Sequence, residues 1–217
     1  KNPLQPTKQL FYTTIVMDLI ALAASLLISW LFFTGILFYI LASRAYSYRG
    51  IRLKKYPVIG YLTVIICQGA LIFFLVMHGS SNNRTTDVPA IGMIAAALLV
   101  GGFYPLTQIY QHMQDKKDGV ITLSYKLGYR GTFIFTAIVY ALAMVCLGLY
   151  LAINLEIERF FTIQLFLFPV LCYFFWWFYK VYHNTAAANF KNTMRMNLLG
   201  SLLTNASFIY LFLMEKF

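Results

Sequence analysis

Seven apolar runs, each near the ~20 residues that cross a bilayer as a helix, constrain this chain more than any other feature. Backbone polar groups in hydrocarbon must be satisfied within the segment, so such runs can only be helices packed in a bundle. Of the 217 residues, 60% are hydrophobic and only 11% are charged, too few for the surface of a soluble domain of this length. The expected fold is therefore all-α, a polytopic transmembrane helical bundle, with residues 1–217 as one domain. The spans fall roughly at 10–28, 31–46, 58–78, 89–112, 131–153, 160–182 and 195–214. The first two are nearly continuous. A break around Ser29–Trp30 separates them, because one helix over both would overshoot the membrane.

Loop charge tests this scheme. Of 17 basic residues, 14 fall on one side: Lys1, Lys8, Arg44, Arg49, Arg52, Lys54, Lys55, Lys116, Lys117, Lys126, Arg130, Lys180, Lys191 and Arg195. The other 3 are Arg84, Arg159 and Lys216. The asymmetry predicts Lys1 in the cytoplasm and Phe217 outside. It also accounts for the net charge of +10 as basic loops at a membrane surface rather than a nucleic-acid site. Tyr46, Tyr48, Trp176, Trp177 and Tyr179 are read as interface anchors. Cys67, Cys146 and Cys172 lie in apolar runs without metal spacing and read as small core residues.

The fourth span runs into the stretch 104–128, YPLTQIYQHMQDKKDGVITLSYKLG. On a helix, Gln108, Gln111, Asp115 and Asp118 would form one polar stripe. The loop 44–57 has five basic residues and no acid. The two loops together could make a metal-binding half and an anion-binding half, since Mg²⁺ takes one or two carboxylates and keeps phosphate oxygens or water. The bland alternative is a solvated helix end, with Asp115 and Asp118 paired to Lys116 and Lys117. Within the spans, Asp18 is expected to face a cavity, and Asn205 to hydrogen-bond another helix. Gln68 and Asn197 are further intramembrane polar groups, and His112 is expected at headgroup level.

Gly119-Val-Ile-Thr122-Leu123, followed by Lys126-Leu-Gly128, resembles the end of the second aspartate-rich motif of the UbiA-type intramembrane prenyltransferases. Tyr46-Ser47 to Arg52-Leu53-Lys54 resembles that family's Tyr/Lys segment, and Lys1-Asn2-Pro3-Leu4 the segment after its first acidic motif. The resemblance implies a nine-helix bundle, with its first two helices and first acidic motif expected ahead of Lys1. It implies transfer of a prenyl group from a prenyl diphosphate to a lipophilic, often aromatic, acceptor, with Mg²⁺ holding the diphosphate. The family's D-x-E-x-D positions read Gln111, Met113 and Asp115 here, and Met113 is no ligand for a hard cation. By position, Asp115, Asp118 and Gln111 would be metal ligands, and Lys54, Arg52 and Tyr46 would meet the diphosphate. The expected setting is a bacterial inner membrane among membrane lipid, with the site facing the cytoplasm. Two other functions fit the residues: a non-catalytic relative that binds isoprenoid lipid or a partner protein, and a small transporter.

Overall fold

The structure is a computed structural model that describes residues 7–214, all of whose regular elements are helical. Among the described residues, seven segments are long and apolar enough to cross a membrane. The Lys1–Leu4 resemblance lies outside the described residues.

Helix α1 (Thr7–Leu26) and α2 (Trp30–Ser47) separate where helix length requires it. Ser29 makes the boundary local: its Oγ accepts the Phe32 amide at 3.0 Å and caps α2. The two helices are joined again by an ion pair between Arg44, near the end of α2, and Asp18, in the middle of α1. Asp18 thus faces a partner on the neighbouring helix, not a cavity, because a membrane-embedded carboxylate is satisfied by the nearest guanidinium.

The third span is less regular than a run of apolar residues implies. It comprises α3 (Pro57–Val64), a π-helical stretch (Ile65–Leu71) and α4 (Ile72–Ser80). The π stretch lies directly on α5 (Ala90–Thr107): a Cβ added at Gly69 would sit 2.4 Å from the Ala97 Cα. Helix α5 packs most extensively on α7 (Leu123–Ile153). Its glycines permit the close approach, and Thr136 Oγ1 donates to the Gly102 carbonyl at 2.9 Å.

The fourth span does not continue as one helix into the polar stretch. Pro105 lacks the N–H that would bond back to Gly101, and α5 ends two residues later at Thr107. A 3-10 turn (Ile109–Gln111) follows, and then the short helix α6 (His112–Lys117). The stripe Gln108–Gln111–Asp115–Asp118 is therefore broken across three pieces of backbone. Gly119, at φ +69°, ends α6 in the left-handed conformation, and Val120 N–H reaches back to the Asp115 carbonyl at 2.8 Å. Thr122 caps α7, which begins eight residues earlier than its apolar run and kinks at Gly128 (φ 69°, ψ 179°).

Helices α8 (Ile157–His183) and α9 (Phe190–Met214) complete the chain. The core lies between α7, α8 and α9, around Phe133 and Trp177, whose rings meet edge-on with centroids 4.9 Å apart. Trp177 is fully buried, and its Nε1–H donates to the Ala187 carbonyl at 2.8 Å. It is a core residue rather than an interface anchor. Its neighbours Trp176 and Tyr179 are exposed, and the Lys180 ammonium lies 3.9 Å from the Trp176 ring centroid. The cysteines are free; Cys67 is buried, whereas Cys172 is on the outer surface of the bundle rather than in the core.

Candidate functional site

Two short loops meet at one end of the bundle. The α2–α3 loop carries Arg52 and Lys54, and the α6–α7 turn carries Asp118 and Gly119. Arg52 joins them, its Nη1–H donating to the Asp118 carbonyl at 2.9 Å. Arg52 adopts φ 50°, a left-handed conformation that costs a non-glycine residue about 1 kcal/mol. Its Nε is buried and has no hydrogen-bond partner.

Asp115, half-buried on α6, lies within electrostatic reach of Lys54, Asp118 and Arg52, and of the phenols Tyr46 and Tyr104. It forms no ion pair with either cation. Lys54 lines a narrow cleft with Tyr46, Tyr104, Gln108 and Thr122. The structure thus brings together Asp115, Lys54, Arg52, Tyr46 and the backbone of Asp118. Gln111 is engaged elsewhere, since its Nε2 donates to the Tyr110 phenol at 2.6 Å and only its carbonyl oxygen is left as a donor atom. Met113 is 65% exposed.

Among the described residues, no group of three or more His, Cys, Asp or Glu side chains could hold a metal ion. One or two carboxylates opposite two cations do fit Mg²⁺ arriving with phosphate oxygens as its other ligands. They do not fit a cation caged by protein alone.

Tyr104 is the residue that sequence reasoning missed. Its hydroxyl pairs with that of Tyr46 and accepts from Gln108 Nε2 at 2.8 Å. It borders the Lys54 cleft, a side pocket of about 110 Å³ beside Cys67, and a large cavity of about 610 Å³. The large cavity lies between α5, α7, α8 and α9, and no charged residue lines it. Tyr104 therefore stands where a charged mouth meets an apolar chamber. The available signal was the Tyr104/Gln108 spacing of one helical turn.

His112 packs inside the bundle at the end that carries Asp115. It is buried, its Nε2 lies 2.8 Å from Ser124 Oγ, and its ring stacks on Tyr129. Ser124 in turn meets Thr132 Oγ1 at 3.1 Å, so this chain of contacts ties α6 to both sides of the α7 kink. Asn205 bonds its own helix, Nδ2 to the Ser201 carbonyl at 2.8 Å, rather than a neighbour.

Seven apolar helices packed around an apolar chamber, with a charged mouth at one end, define the class: a multi-pass helical membrane protein. A model of the UbiA prenyltransferase family matches residues 4–199, and the chain belongs to that family. No curated protein and no solved structure matches the chain. Family membership carries a prenyltransferase-type function in general terms, with a prenyl diphosphate and a lipophilic acceptor as the general substrates and a general dependence on metal.

Proposed function

We propose that this chain provides the diphosphate end and the apolar chamber of a Mg²⁺-dependent prenyltransferase that prenylates a lipophilic acceptor at the cytoplasmic face of a bacterial inner membrane. The observation that carries the reading is the convergence of Asp115, Lys54 and Arg52 at the chamber mouth. Asp115, with Asp118 and the Gln111 carbonyl as lesser donors, would hold Mg²⁺. That ion supplies charge neutralisation for the departing diphosphate. Lys54 and the Arg52 guanidinium would donate to phosphate oxygens, and the Tyr46 phenol, already bonded to Tyr104, orients beside them. The prenyl chain extends past Tyr104 into a cavity whose apolar walls keep water from the reacting carbon.

The test is diphosphate release from an allylic prenyl diphosphate by the purified full-length protein, with and without Mg²⁺. Release is expected only with Mg²⁺, and Asp115→Ala is expected to abolish it; unchanged turnover in the variant would remove the site assignment. A second reading, a relative that binds isoprenoid lipid without reaction, is favoured by Gln111 and Met113 at acidic positions of the motif. It predicts lipid binding with no diphosphate release under any metal condition.

A further inference from the structure

Of the three side-chain amides that line the large cavity, Asn205 is bonded to its own helix and Gln68 and Asn197 are not; Tyr140, Ser201 and Thr204 add hydroxyls to the same wall. Gln68 lines it from the π-helical stretch and also lines the side pocket. Asn197 lines it from α9. Among the described residues, neither side-chain amide has a hydrogen-bond partner. The rest of the wall is mostly hydrocarbon and aromatic, with Leu99, Phe103, Met144, Leu147, Ile163 and Leu167. Gln68 is exposed and Asn197 half-buried, so both amides are open to a hydrogen-bonding group that enters the cavity, water or a ligand.

The backbone supports the same assignment. Gln68 sits at the centre of Ile65–Leu71, the one π-helical stretch among the described residues. Such turns recur at functional sites because they redirect a side chain. Gly69 sets this turn against the Ala97 backbone, so the direction of Gln68 is not free to drift. On the facing helix, Gly200 lets α9 approach the Phe103 ring, to which an added Cβ would come within 3.3 Å. That contact fixes the helix that carries Asn197. The amides therefore come from two independently anchored elements.

We infer that Gln68 and Asn197 form a recognition pair for an oxygen substituent, a carbonyl or hydroxyl, on an uncharged lipophilic ligand bound in this cavity. Amides both donate and accept, so they serve either group. The wall has no cation to balance a carboxylate, and burying an unpaired carboxylate there is far more costly than burying a ketone. If the chain is a prenyltransferase, this ligand is the acceptor, and the acceptor is neutral. That clause alone rests on the proposed function.

Saturable binding to the purified chain in lipid nanodiscs, above the empty-disc background, tests the pair. Three probes share one ring skeleton: 2-methyl-1,4-naphthoquinone, 2-methylnaphthalene and 2-naphthoate. The quinone is expected to bind about tenfold more tightly than the hydrocarbon, the scale of one or two net hydrogen bonds. Naphthoate is expected to bind no better than the hydrocarbon. Gln68→Met and Asn197→Leu are each expected to reduce the quinone preference while leaving hydrocarbon binding unchanged. Equal binding of quinone and hydrocarbon, strongest binding of naphthoate, or an undiminished preference in either folded variant overturns the pair. The probe comparison on the unsubstituted chain decides the matter even where a variant fails to fold. No Mg²⁺ or diphosphate is present. Absence of diphosphate release with the quinone preference intact would therefore defeat the enzymatic reading and spare this one.

Discussion

Gly128 and Gly131 stand three residues apart in α7, and only one of them is constrained by its backbone. Gly128, at φ 69° and ψ 179°, occupies a region open essentially to glycine, and an added Cβ there meets nothing within 4 Å. Gly131 is helical, and its added Cβ would make ordinary contact with Leu127 at 3.4 Å. Gly128→Ala is expected to destabilise the protein by about 1–3 kcal/mol through conformation alone. Gly131→Ala should be neutral or slightly stabilising. Thermal unfolding of the two variants in the same detergent checks the contrast. The Tyr104 hydroxyl is tested in the same way. Tyr104→Phe keeps the ring and removes both hydrogen bonds, so a loss of about 1–2 kcal/mol is expected in the same unfolding measurement.

Elements here are positioned by a few close approaches. The π stretch lies on α5 with no room for a methyl group, so Gly69→Ala must push it away from Ala97. Overpacking of this kind costs about 1–3 kcal/mol, and the shift would also displace Gln68, the neighbouring residue. Lowered thermal stability together with loss of quinone preference is the expected signature. Helix α1 presents the opposite case. It packs principally on α2, and Asp18–Arg44 is its ion-paired link. Asp18→Asn is expected to lower thermal stability while Mg²⁺-dependent diphosphate release is retained, because Asp18 lines neither the mouth nor the cavity. A loss of turnover equal to that of Asp115→Ala would place Asp18 in the site instead.

On the scale of the whole molecule, the charge asymmetry makes a topological prediction. With Cys67, Cys146 and Cys172 replaced by Ser, a single Asn83→Cys should react with a membrane-impermeant maleimide added to intact cells. A single Lys117→Cys should react only after the cells are opened. The reverse pattern would put the Asp115 mouth on the outer face and end the cytoplasmic reading. The mouth itself was legible because its chemistry is local: Arg52 and Lys54 lie in one basic loop, and Asp115 precedes a helix-stopping Gly119. Tyr104 was not legible as a site residue, because an aromatic at the end of an apolar span looks like any other. Trp177 was misread for the same reason, as burial and interface exposure require the same residue type at the same depth.

Hydropathy by itself determined the class of fold, the number of spans and the break at Ser29, because hydrocarbon leaves the backbone no alternative to helices of bilayer length. The order of residues in 119–128, with the basic loop before it, also determined the family. Only the tertiary structure decided where the fourth span stops being a helix, which polar groups find partners and which do not. Asp18 is satisfied by Arg44, Asn205 by its own helix, and His112 by Ser124. Gln68 and Asn197 are left facing a cavity without partners. The physical reason is that hydrogen bonding inside a membrane depends on what stands opposite, and a sequence does not say what stands opposite until its helices have packed.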